Sequence, residues 1–192
     1  MNFRKYLEKT GKKLDREVGG ILKEELKKAG KTDKKLVPLL TAFTESCQGG
    51  KGIRGGLVVL GYEIARGGDH LGGVMASQAQ PATIRGDLGE KGIIKVAAAY
   101  EILHSAILVH DDIIDQSLER RNEPSLYQVL GGNHYGTSQA ISLADYGFFL
   151  SFKLISESDF PSERKISALK LFSRVMMDTS LGEMLDLEKT DP

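Results

Sequence analysis

Asp111, Asp112 and Asp115 stand together near the middle of the chain, in the pattern Asp-Asp-x-x-Asp. In a helix, at about 100° per residue, Asp111 and Asp115 fall within ~40° of each other, one turn apart. Two carboxylates at that spacing repel unless a cation sits between them. Oxygen-only donors favour a hard cation, and Mg²⁺ commonly takes one or two carboxylates together with substrate phosphates. Asp112 points ~100° away from Asp111, which makes it the weaker ligand. Taken alone, the pattern is more often a solvated acidic face than a metal site. Its setting argues otherwise. Residues Ala97 to Val109 are almost wholly apolar, and Ile113-Ile114 continue the run. A helix this apolar is mostly buried, so its carboxylates should line an interior cavity.

Two basic clusters supply the complementary charge. Gly49-Gly50-Lys51-Gly52-Ile53-Arg54 places Lys51 and Arg54 after a double glycine, at a helix start. There they lie beside unsatisfied backbone N–H groups, an arrangement that holds phosphate oxygens. The second cluster, Arg120-Arg121-Asn122-Glu123-Pro124, follows the acidic segment. Arginine forks suit phosphate oxygens bidentately. Each cluster in isolation is more simply read as solvated surface charge, the second as two arginines balancing Glu119 and Glu123. His104 precedes Asp111 by two helical turns, on the same stripe. A lone histidine on an apolar helix is usually a core residue, and here it could equally donate to an anion in the same cavity.

The elements that must position these groups are helical. Apolar spacing predicts an amphipathic helix over 2–29, broken at Gly19-Gly20, and a shorter one over 35–46. A third helix is expected over Lys51–Arg66, and the strongest runs from Ile93 to about Leu118. Helices over 136–156 and 162–188 follow, with a turn, a short helix and the Gly131-Gly132 break within 122–134. Residues 67–92 hold seven glycines and Pro81, and read as a Gly-rich loop with a short helix near 74–79. The expected fold class is all-α, one domain over 1–192, with the ligand site between helices of a bundle.

Composition excludes some classes. Lys plus Arg equals Asp plus Glu at 26 each, so no global field points to nucleic acid. The one cysteine, Cys47, rules out an internal disulfide framework and a Cys-rich zinc site, in keeping with a reducing, cytoplasmic setting. The N-terminus, Met1-Asn2-Phe3-Arg4-Lys5-Tyr6, lacks the apolar core of a signal peptide. No apolar run is expected to reach the ~20 residues of a transmembrane span.

In order and separation these segments resemble the trans-isoprenyl diphosphate synthase family. Residues 49–55 resemble its Gly-Gly-Lys-Arg-x-Arg-Pro element. His104 with His110 to Asp115 resembles its His and His-Asp-Asp-x-x-Asp block, and Arg120 to Ser125 its Arg-Arg-Gly-x-Pro element. Tyr135-Gly136 through Ala144-Asp145, then Gly182-Glu183-Met184-Leu185-Asp186, resemble two downstream elements. The resemblance covers roughly residues 40–188. It implies an isoprenoid-synthase helical bundle, with Asp111 and Asp115 holding Mg²⁺ on an allylic diphosphate and Arg120 contacting that diphosphate. Lys51, Arg54, His104 and Arg121 would bind isopentenyl diphosphate. The implied reaction ionises the allylic diphosphate, lets the homoallylic double bond attack, and ends in proton loss. Ile107 and Ala106, four and five residues before Asp111, would floor the prenyl-tail pocket. Neither is aromatic, which favours a geranylgeranyl or longer product.

The departures are specific. Gly52 replaces an arginine, Gly55 a proline, Asn122 a glycine, and Glu183 a common glutamine. A second aspartate-rich motif and its preceding Lys-Thr element are not found before Pro192, so the C-terminal helices of the fold are expected to be missing. A homodimer or a complementary C-terminal chain is the expected partner. The competing readings are a non-catalytic or split subunit of such a synthase and a class I terpene cyclase. Two basic clusters speak against the cyclase, which needs no second diphosphate site.

Overall fold

The computed structural model describes residues 3–66 and 88–190. Its order is α1 (Phe3–Thr32), α2 (Leu36–Ser46), α3 (Ile53–Ala65), α4 (Leu88–Ile114), β1 (Glu119–Arg120), β2 (Glu123–Pro124), α5 (Leu126–Val129), α6 (His134–Ser156) and α7 (Ser162–Thr190). The fold class is all-α, and β1 and β2 form a small antiparallel ribbon.

Helix α4 is the central element, packed most extensively on α6 and then on α3 and α1. Ala97, Ala98, Ala99, Ile102 and Ala106 are completely buried along it. Its small side chains let α6 approach closely, and Gly147 of α6 has no room for a Cβ against Phe43 and Ala106. Phe172 of α7 lies edge-on to Tyr100 of α4 and Phe152 of α6, with ring centroids 5.3 and 4.8 Å apart. A charged anchor joins α1 to α6: the buried Glu25 carboxylate accepts from Tyr146 and from Lys28. Leu14, Val59, Ile93, Ile94 and Ala97 form a second, smaller cluster beneath α3.

Three expectations change. Helix α1 runs unbroken through Gly19-Gly20. Two interior glycines cost about 2 kcal/mol together, but burial of Leu14, Val18 and Leu22 on either side holds the helix. Most of the expected Gly-rich loop, including the short helix near 74–79, lies outside the described residues. Residues 88–92 of it are helical, and α4 begins five residues before the expected Ile93. Gly89 and Gly92 serve close packing there, since a Cβ on Gly89 would sit 2.4 Å from the Tyr62 hydroxyl and one on Gly92 3.3 Å from Phe160. Finally, Lys91–Ile114 is long and apolar enough to cross a membrane, with a mean hydropathy of 1.6. Its contacts with α1, α3 and α6 account for that apolarity as core.

Gly147→Val should lower stability by about 1–3 kcal/mol, because the new Cβ would lie 2.7 Å from Phe43 Cζ and 3.0 Å from Ala106 Cβ. Thermal denaturation measures it. An unchanged midpoint would contradict the tight α4–α6 seam.

Candidate functional site

The acidic residues occupy the last turn of α4. Asp115 caps it: the Asp115 N–H still donates to Asp111 O, Gln116 turns left-handed at φ 53°, and Ser117 N–H returns to Asp112 O at 2.8 Å. This is a glycine-type helix stop built without glycine. Three carboxylates therefore gather at the negative end of a helix dipole, where cations are preferred. No basic residue of α4 itself lies in that turn.

The cation comes from the ribbon. Arg121 and Asn122, its two turn residues, have φ 57° and 65°, the left-handed pair that a two-residue hairpin requires. That twist returns Arg120 to the helix. Its Nε donates to Asp112 Oδ1 at 2.8 Å and its Nη2 to Asp111 Oδ2 at 2.7 Å. These hydrogen bonds, Asp112 first, raise the Arg120 pKa. The Asp112 side chain is only 5% exposed, against 36% for Asp111. Asp112, the weaker ligand by helix geometry, is thus the buried anchor of the hairpin, while Asp111 stays half-open and Asp115 is exposed.

Arg121 points the other way, and its Nη1 donates to the Gln48 carbonyl at 2.8 Å, strapping the loop before α3. Loop residues Gly49 and Gly52 have φ 74° and 58°. Gly52 is the N-cap of α3, and a Cβ there would meet Gly11 Cα of α1 at 3.3 Å. The left-handed backbone and the approach of α1 together explain glycine where the resemblance expects arginine. Lys51 and Arg54 remain exposed at this helix start. Glu101 of α4 closes the loop from below, its Oε1 accepting the Gly55 N–H at 2.6 Å. Glu101 is the one acidic residue within the run Ala97–Val109 and was not among the expected site residues, its partner Gly55 lying 46 positions away.

His104 sits half-buried among these groups. Burial first, then the charges of Arg54, Arg121 and Arg120, lower its pKa from 6.5 to about 4, with Asp111 pulling weakly upward. Its field thus registers both basic clusters and the acidic end. His110 lies on α4 beside Asp111, its ring stacked on Phe148 at 5.3 Å and its Nε2 3.3 Å from Asp145 Oδ1. Ala106 is fully buried on the α6 seam, and Ile107 is half-buried at the edge of the core. Glu183 and Asp186 belong to the far half of α7, where Leu181, Met184 and Leu185 are exposed. A cavity of about 330 Å³ opens on the α1 side of the loop, between Leu14, Val18, Leu22, Cys47 and Glu101. Burial pushes the Cys47 thiol up to about 12, so it remains a thiol.

Among the described residues no three of His, Cys, Asp and Glu converge as a metal cage. Asp111 and Asp115 are oxygen donors of the kind Mg²⁺ takes, and in this structure Arg120 already holds Asp111 Oδ2.

The sequence profile of the polyprenyl synthetase family matches residues 37–192. The chain is 38% identical over 98 residues to a geranylfarnesyl diphosphate synthase of Methanosarcina mazei, covering 51% of this chain and 30% of that protein. A geranylgeranyl pyrophosphate synthetase from Pyrococcus horikoshii superposes with a TM-score of 0.70 at 23% identity, over 98% of this chain and 48% of that one. One from Corynebacterium glutamicum, complexed with isoprenyl diphosphate and magnesium, superposes at 0.65 with 18% identity, over 85% and 44%. The chain thus spans about half the length of these solved structures, which share its fold.

Two measurements test the geometry. Since the folded pKa of His104 lies below its unfolded value, the unfolded chain takes up the proton first, and stability falls as pH drops from 6.5 towards about 4. In NMR titrations the His104 ring should titrate near 4 in the free chain, and higher once inorganic pyrophosphate offsets the arginines. A ring titrating at its ordinary value would deny its burial, and one unmoved by pyrophosphate would place those arginines elsewhere. Asp112→Ala should lower stability by about 2 kcal/mol in chemical denaturation, by removing the buried one of the two carboxylates that hold Arg120. No loss would deny Asp112 its anchoring role.

Proposed function

The chain belongs to the polyprenyl synthetase family, and we propose that it serves a Mg²⁺-dependent prenyl transfer from an allylic diphosphate to isopentenyl diphosphate. The observation that carries this reading is the meeting of a cationic loop and a carboxylate helix end around His104. Lys51, Arg54, Arg121 and His104 take the diphosphate of isopentenyl diphosphate. Asp111 and Asp115 would hold magnesium, and Arg120 swings its fork from the carboxylates to the allylic diphosphate. Magnesium, when bound, supplies positive charge against the departing diphosphate. The allylic C–O bond breaks with its electron pair leaving on diphosphate. The isopentenyl double bond forms the new C–C bond, and loss of a proton restores the alkene. Apolar walls keep water from the cation.

A geranylgeranyl or longer product is favoured in this reading, because neither Ala106 nor Ile107 places an aromatic ring four or five residues ahead of Asp111. The setting is the cytoplasm, and the working unit a homodimer. A second reading has its own observation. Leu181, Met184, Leu185 and Leu187 of α7 are exposed together, an apolar stripe that suits a subunit working with a complementary chain.

Radiolabelled isopentenyl diphosphate with Mg²⁺ and dimethylallyl, geranyl or farnesyl diphosphate tests both readings. Elongation by the purified chain supports the first, and elongation only after a C-terminal polypeptide is added supports the second. In whichever form is active, Asp111→Asn and Asp115→Asn should each cost roughly a hundredfold or more in kcat. Activity that survives both substitutions would remove the metal assignment.

A further inference from the structure

A loop that binds a diphosphate through Lys51 and Arg54 must be held open against its own charge. The sequence makes that harder, because Gly49, Gly50, Gly52 and Gly55 leave it without intrinsic stiffness. Two side chains fix its ends. Arg121 takes the Gln48 carbonyl at 2.8 Å on the entering side. Glu101 takes the Gly55 N–H at 2.6 Å on the leaving side. Gly50 lies between them, its Cβ position 3.8 Å from Arg121 Nη2 and 4.0 Å from Glu101 Oε2.

The Gly55 N–H is one of the orphan donors of the first turn of α3, whose N-cap, Gly52, offers no side-chain acceptor. A proline at 55, the residue the resemblance expects, would have no N–H to give. Nor would it fit, since a Cβ at 55 would lie 2.8 Å from Leu14 Cδ1 and 2.9 Å from Ala97 O. Glycine at 55 and the carboxylate at 101 thus form a matched pair. A charge-assisted hydrogen bond from the buried helix does what ring rigidity would otherwise do.

We propose that Glu101 is a positioning residue: by accepting the Gly55 N–H it sets the first turn of α3 and so the placement of Lys51 and Arg54. The inference rests on the reading of that loop as a diphosphate site. It makes an unusual demand of charge. A carboxylate beside an anion site repels the anion, so Coulomb forces alone predict tighter binding when it is removed. Positioning predicts the reverse for a side chain that cannot accept, and no loss for one that can.

The experiment titrates isopentenyl diphosphate calorimetrically into the wild-type chain, Glu101→Gln and Glu101→Leu, with thermal melts and amide exchange at Gly55 followed by NMR. The glutamine variant should bind as well as wild type or better, and the leucine variant roughly tenfold more weakly, with faster exchange at Gly55. A folded leucine variant that binds as tightly as wild type overturns the proposal. If the leucine variant does not fold, Gly55 in the wild-type chain decides: a protected amide that loses protection in Glu101→Gln far less than in a loop peptide supports the lock, and one exchanging like an open loop overturns it. A wild-type chain that binds no isopentenyl diphosphate defeats the diphosphate reading, while Gly55 exchange still decides whether Glu101 holds the turn.

Discussion

Charge set against the helix dipole is the constraint on which this structure turns. Helix α4 ends in Asp111, Asp112 and Asp115, at the end where a helix is already negative. Helix α3 begins beside Lys51 and Arg54, at the end where a helix is already positive. Each such misplacement costs about 0.3–1 kcal/mol, and neither helix would choose it for stability. Arg120 offsets two of the three carboxylates, and Glu101 brings one negative charge to the start of α3. Asp115, Lys51 and Arg54 stay exposed. A cation at the end of α4 and an anion at the start of α3 would relax both conflicts, which is what the proposed metal–diphosphate binding would bring.

Tolerating that conflict requires a rigid frame. The alanine-rich face of α4 lets α6 lie close, and aromatic contacts from Phe172 pin α7 to both. Helix α1 approaches so near the basic loop that Gly11 and Gly52 meet backbone to backbone. Glycine at 52, where the resemblance expects arginine, therefore follows from packing. Burial first, and then the field of Arg54, Arg121 and Arg120, keep His104 neutral at ordinary pH.

Much of this was legible from residue types. The buried helix announced itself through the apolar run Ala97–Val109, and the helix boundaries at 35–46 and 136–156 followed from periodicity to within two residues. Three features were not legible, for physical reasons. Glycines at 19, 20, 89 and 92 read as breakers because propensity is local, whereas burial of the flanking Leu14, Val18 and Leu22 carries the helix through 19 and 20, and close packing on Tyr62 and Phe160 decides 89 and 92. Asp112 looked idle because helical phase says where a side chain starts and not which distant arginine reaches it. Glu101 meets Gly55 across 46 positions of sequence, a pairing that no local pattern encodes.

The ribbon shows how a very short element can join two charged sites. Arg120 and Arg121 are consecutive, yet one donates to the acidic end of α4 and the other to the loop before α3. Extended backbone alone would send neighbouring side chains to opposite faces of a strand. Here Arg120 still belongs to the strand, while Arg121 and Asn122, with left-handed φ, make the turn that follows it. Asparagine tolerates that conformation through its short polar side chain, whereas arginine at 121 pays a local strain that its bond to Gln48 O helps offset. Because the two arginines share a peptide unit, the acidic and basic halves of the site are held in one register. A rigid shift of the hairpin would therefore move both contacts at once, the one to Asp111 and the one to Gln48 O.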